Sequence, residues 1–83
     1  MDGTKSISLF DGKNGDIIRI TSMEIEGVMR RRLLDLGFVQ GALVEVIRKS
    51  PLGDPIAFRV SQTSIALRKE ESTRIQGELI RHD

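Results

Sequence analysis

The sequence predicts a mainly β domain, a small and strongly bent antiparallel barrel carrying one short α-helix. Short runs of β-branched and aliphatic residues recur between turns rich in glycine, proline and asparagine. One stretch alone, residues 24–36, changes to a helical period. Five short strands and one helix in 83 residues cannot be stacked as two sheets with helices. Closing a single sheet on itself is the economical way to hide its edges.

Each element follows in order. The first sixteen residues are rich in Gly, Lys, Asp and Ser around a small apolar knot at Ile7, Leu9 and Phe10. Residues 1–14 are expected to form a partly ordered N-terminal segment, and residues 15–83 the single domain. KNGD (13–16) is a turn, and IIRIT (17–21) a β-branched strand. In EIEGVMRRRLLDL (24–36), at about 100° per residue, Ile25, Val28, Met29, Leu33 and Leu36 fall on one stripe. That spacing predicts a helix over 25–36. Gly37 stands where a left-handed residue ends a helix, and Phe38 can fold back onto Leu33.

A turn at Gln40-Gly41 leads to a strand over 43–49. PLGDP (51–55) is a loop by mechanism, with two fixed φ angles, a permissive glycine and no ladder donors at the prolines. IAFRV (56–60) alternates Ile56, Phe58 and Val60 against Ala57 and Arg59. A tight connection near Gln62-Thr63 precedes the strand SIALR (64–68). KEES (69–72) fits one helical turn, and TRIQGELI (73–80) a last strand around Ile75.

Composition excludes several functions. Thirteen basic against twelve acidic residues leave a net charge of +1, without the basic field of a nucleic-acid binder. Three phenylalanines, with no tryptophan or tyrosine, supply little stacking surface for bases or proline-rich peptides. No apolar run approaches the ~20 residues of a membrane span, and no secretory segment follows Met1, so a cytoplasmic address is expected. There is no cysteine, and the one histidine, His82, is next to last, where chains commonly fray. Serine nucleophiles therefore lack an ordered base, and the near pairs Glu70-Glu71 and Glu24…Glu26 point apart rather than together. No catalytic site is expected. No cofactor and no self-contained metal site are expected either, only a weak divalent site shared with another molecule.

The arginine run in VMRRRLLDLG (28–37) admits two readings. In one, Arg30 and Arg31 solvate the outer face and complement the negative end of the helix dipole, while Arg32 lays its methylenes over the rim of the core. In the other, Leu34, nearly opposite the apolar stripe and beside Arg30 and Arg31, is the anchor of a small interface with a basic rim. The loop adds Leu52, at the tip of a protruding finger, with Gly53 and Asp54 behind it.

GDIIRI (15–20), MRRRLLDLGFVQGALVEVIRKSPLGDPIAFRV (29–60) and SIALRKEES (64–72), in that order, resemble the FeoA family, the bacterial ferrous iron transport protein A. The likeness runs from about Gly15 to Ile75. It implies an SH3-like barrel and a cytoplasmic accessory that binds and regulates a FeoB-type membrane transporter from the cytosolic side. The partner surface expected from the residues and the likeness together is Arg30, Arg31 and Leu34 with Leu52, Gly53 and Asp54. Similar domains end iron- and manganese-dependent repressors, which implies the alternative of an Fe2+/Mn2+ binding or sensing module. A weak homo-oligomer is the remaining expectation. Near-relatives commonly carry glycine where this sequence has Gln62, so a turn of positive φ there would cost about 1 kcal/mol.

Overall fold

The strands are β1 (Lys5–Ser8), β2 (Ile17–Met23), β3 (Leu43–Lys49), β4 (Ile56–Val60), β5 (Thr63–Leu67) and β6 (Ile75–Arg81). The α-helices are α1 (Gly27–Leu36), between β2 and β3, and the single turn α2 (Lys69–Ser72), between β5 and β6, and a 3-10 turn over Leu9–Asp11 follows β1. These come from a computed structural model that describes residues 5–81, with side chains over 6–80. His82 lies outside the described residues. All six strands join one antiparallel sheet in the order β1-β6-β2-β3-β4-β5. Among the described residues the sheet is rolled rather than closed, because β1 and β5 remain its two edges.

Alternation builds the core. Ile18 and Ile20 of β2, Val44 and Val46 of β3, and Ile56, Phe58 and Val60 of β4 are buried, with polar or smaller residues between them. Leu33, Phe38 and Ile75 complete the interior. Each such side chain contributes about 1.5–3 kcal/mol on burial. The turn at 13–16 forms as the sequence implies, with the Lys13 N–H donating to Asp16 Oδ2 at 2.8 Å.

Three features differ from the sequence-based expectation. Within the N-terminal segment expected over 1–14, Lys5–Ser8 belong to the same sheet and Leu9 to its core. β1 pairs with β6 from Lys5↔Leu79 to Ser8↔Gln76, and Leu9 is fully buried. The reason is the length of β6, which pairs with β2 on one side and leaves its other side for the apolar knot around Ile7. The helix begins at Gly27, not at residue 25. β2 still pairs with β6 at Met23↔Ile75, and the Glu24 N–H donates to the Arg74 carbonyl at 2.7 Å, so the chain stays extended until Gly27 redirects it at φ +75°. The last difference is the buried arc of α1, described below.

The β4–β5 connection has φ +50° at Ser61 and +67° at Gln62, with Val60 and Thr63 paired across it. That is a two-residue I′ hairpin, the type whose twist suits adjoining strands and which glycine and asparagine occupy at least cost. Gln62 thus adopts the positive φ at which a glycine would be unstrained.

Candidate docking surface

α1 ends as its local sequence dictates. Gly37 takes φ +111°; its N–H donates to the Leu34 carbonyl at 3.1 Å, and the Phe38 N–H donates to Leu33 at 3.0 Å. Leu33 and Phe38 are both fully buried, which supplies the apolar contact of a Schellman ending. A side chain at position 37 would also meet Ser61 Oγ at 2.8 Å, so the helix end and the hairpin turn approach each other closely.

Between its ends, α1 bridges two parts of the rolled sheet. Met29, Arg32 and Leu33 line a groove with Ile65, Ala66, Leu67, Arg68 and Glu71. On the other flank, Arg30 and Leu34 line a groove with β2 residues 20–23 and Gln40. The buried arc therefore lies away from Val28 and towards Leu34. Val28, placed on the apolar stripe by its spacing, is 87% exposed, whereas Leu34, expected outside, is half-buried. The late helix start removes Ile25 from the stripe, and the end of β2 covers the Leu34 side. Arg30 is also committed locally: its Nη1 donates to the carbonyls of Met23 at 3.1 Å and Ile25 at 3.4 Å. Arg30, Arg31 and Arg32 are all exposed, but only Arg31 and Arg32 make no hydrogen bond through their side chains among the described residues.

The loop 50–55 presents Leu52 at 93% exposure. Its frame is fixed from within by Gly53 N–H to the Ser50 carbonyl at 2.8 Å and Asp54 N–H to Ser50 Oγ at 3.0 Å. Asp54 Oδ1 accepts from the Lys69 N–H at 2.9 Å, tying the loop to the start of α2. Asp54 and Pro55 line a groove with Ala66 and Arg68, the two β5-end residues that also line the groove beside Arg32. The expected site thus divides. Leu52, Gly53 and Asp54 connect through Ala66 and Arg68 to the Arg32 flank of α1, while Arg30 and Leu34 face the opposite flank.

One grouping was not foreseen from the sequence. Glu24 and Glu26 line a cleft with Glu70, Glu71 and Arg74, over Ile25 and Met29. Residues so far apart in the chain are brought together by the β2–β6 pairing, which no local pattern announces. Glu71 is already engaged, its Oε1 accepting from the Arg68 N–H at 2.9 Å. Among the described residues, no three His, Asp or Glu side chains lie close enough together to hold a metal ion. No helix of the described residues is long and apolar enough to cross a membrane.

A rolled antiparallel sheet spanned by one helix, with its conspicuous residues on an exposed helix flank and a projecting loop, defines a small SH3-like domain. The chain belongs to the FeoA domain family, whose model matches residues 7–79. It is 39% identical over 66 residues to an Fe(2+) transport protein A/Fe(2+) transporter FeoB fusion protein of Porphyromonas gingivalis, a match covering 80% of this chain and 8% of that protein. The solution structure of the FeoA protein of Chlorobium tepidum superposes with a TM-score of 0.85 at 38% identity, over 93% of this chain and 73% of that one. The crystal structure of Stenotrophomonas maltophilia FeoA complexed with zinc, described as a prokaryotic SH3 domain protein, gives 0.73 at 30% identity, over 83% and 86% of the two chains.

Proposed function

We propose that this chain serves ferrous iron uptake as a cytoplasmic accessory that docks on a FeoB-type transporter and regulates it through a protein–protein surface. The observation that carries this proposal is the fusion in Porphyromonas gingivalis, where a domain similar to this one is covalently joined to the transporter. Fusion turns an encounter between two molecules into an intramolecular one, which favours partners that act together. The exposed residues supply the chemistry: Leu52 and Val28 as apolar anchors, with Arg31 and Arg32 one helical turn on from Val28 as a charged rim. Gly53 and Asp54 hold Leu52 in place, and Arg30 and Leu34 contribute at the margin.

Titrating the isotopically labelled protein with the cytosolic region of a FeoB-type transporter, with and without nucleotide, tests the proposal. Amide shifts over residues 28–36 and 51–55 support it, and in that case Leu52→Asp and Arg31→Glu each weaken binding by about ten-fold. Shifts on adding ferrous iron alone, with none from the transporter region, would replace docking by metal handling.

A further inference from the structure

Among the described residues, β5 is the last strand of the sheet and has a neighbour on one side only. Its hairpin with β4 decides which of its backbone groups are used. In a two-residue hairpin the pair flanking the turn, here Val60↔Thr63, exchanges both hydrogen bonds, and bonded and non-bonded pairs then alternate. Thr63, Ile65 and Leu67 therefore bond to β4, opposite Val60, Phe58 and Ile56. Ser64 and Ala66 direct their N–H and C=O groups outward. Both residues are exposed, and among the described residues no other group takes up these donors and acceptors. The free stretch ends at Arg68, whose N–H donates to Glu71 Oε1 and whose carbonyl accepts from Ser72.

We infer that this edge accepts an extended segment of the docking partner, which adds to the sheet beside Ser64–Ala66 by four backbone hydrogen bonds at most. The inference rests on the docking proposal and gives it a mechanism. A strand laid there has its side chains beside two grooves. One contains Met29 and Ile65 and suits an apolar residue; Arg32, Arg68 and Glu71 also line it, and Arg68 and Asp54 line the other. The two carboxylates are engaged by backbone, Glu71 accepting from the Arg68 N–H and Asp54 from the Lys69 N–H. Neither arginine belongs to an ion pair among the described residues, since the two pairs formed are Arg19–Glu78 and Arg59–Glu45. The occupant is thus an extended segment bearing a carboxylate next to an apolar side chain. The transporter is the partner that the fusion supplies, and charge disfavours a second copy of this chain. A copy would offer its own TSIAL, which has no carboxylate for Arg32 and Arg68.

The edge also lies between the two exposed features of the proposed surface. Ala66 and Arg68 line both the groove beside α1 and the groove beside Asp54, so one segment running along β5 touches both.

Amide hydrogen exchange with and without the cytosolic region of a FeoB-type transporter tests the inference. Binding is expected to slow exchange at Ser64 and Ala66 by about ten-fold or more, with Ile65 and Leu67 slow in both states. Ala66→Pro removes an outward N–H that the β4–β5 ladder does not use, and an edge strand tolerates proline there. Provided its spectrum keeps the native dispersion, this variant is expected to lose affinity by about ten-fold. Arg32→Glu, which leaves the strand untouched, is expected to weaken binding as well. If the region binds and shifts Leu52 and Arg31 while Ser64 and Ala66 exchange as before, the edge is not used and docking alone stands. Absence of binding overturns both. Protection that arises without the transporter and grows with protein concentration would assign the edge to a second copy and overturn the choice of partner.

Discussion

Gly77 shows how a single residue constrains this fold. It is buried in β6 opposite Ile20, and a Cβ there would lie 2.5 Å from the Arg19 carbonyl oxygen and 2.5 Å from Ile18 Cγ2. Backbone cannot yield as a flexible side chain does, so Gly77→Ala is expected to destabilise by about 1–3 kcal/mol, read from the midpoint of denaturant unfolding. Gln62 is the opposite case. Its φ of +67° is unfavourable for any residue with a Cβ, and Gln62→Gly is expected to raise stability by about 1 kcal/mol in the same experiment. The first of these positions was silent in the sequence, because a glycine's close neighbour across a sheet depends on register. The second could be anticipated only conditionally, from the likeness to relatives with glycine in that turn. Gly37, whose turn is settled by residues 33–38 alone, was readable directly.

At the scale of elements, local patterns identified β2, β3, β4, the turn of KEES and the end of α1, since alternation and capping are written within a few residues. What depended on a distant partner was not readable. β1 exists because β6 has a free side, and the orientation of α1 depends on β2 continuing to Met23. Val28 makes this concrete. Its spacing belongs to the apolar stripe, yet it is 87% exposed, so Val28→Asp is expected to change stability by no more than about 0.5 kcal/mol. Leu33→Ala, at a fully buried position of the same helix, is expected to cost about 2–5 kcal/mol. Comparing the two unfolding midpoints checks which side of α1 faces the core.

For the whole molecule, composition pointed away from catalysis and nucleic acid, and the family likeness pointed to iron transport. The candidate surface was only half readable. Leu52 and Arg31 are as accessible as their positions implied, while Arg30 and Leu34 are drawn toward β2. The sequence could not show that the loop 50–55 connects through Ala66 and Arg68 to the Arg32 flank of α1, since that continuity is made by the hairpin of β4 and β5. The surface now proposed runs from Val28, Arg31 and Arg32 across the β5 edge to Leu52. A surface of this kind is partly electrostatic, so affinity for the transporter is expected to fall as ionic strength rises above about 0.1 M, measured by calorimetry at several salt concentrations.

The central claim is that the chain docks on a FeoB-type transporter through this surface. The most direct measurement is the amide-shift titration of the labelled protein with the transporter's cytosolic region. Docking predicts shifts concentrated at residues 28–36 and 51–55, joined by 63–68 where the β5 edge is used, and Leu52→Asp moves the titration to about ten-fold higher concentrations without loss of fold. A spectrum that stays unchanged through saturating concentrations of that region, in both nucleotide states, would contradict it.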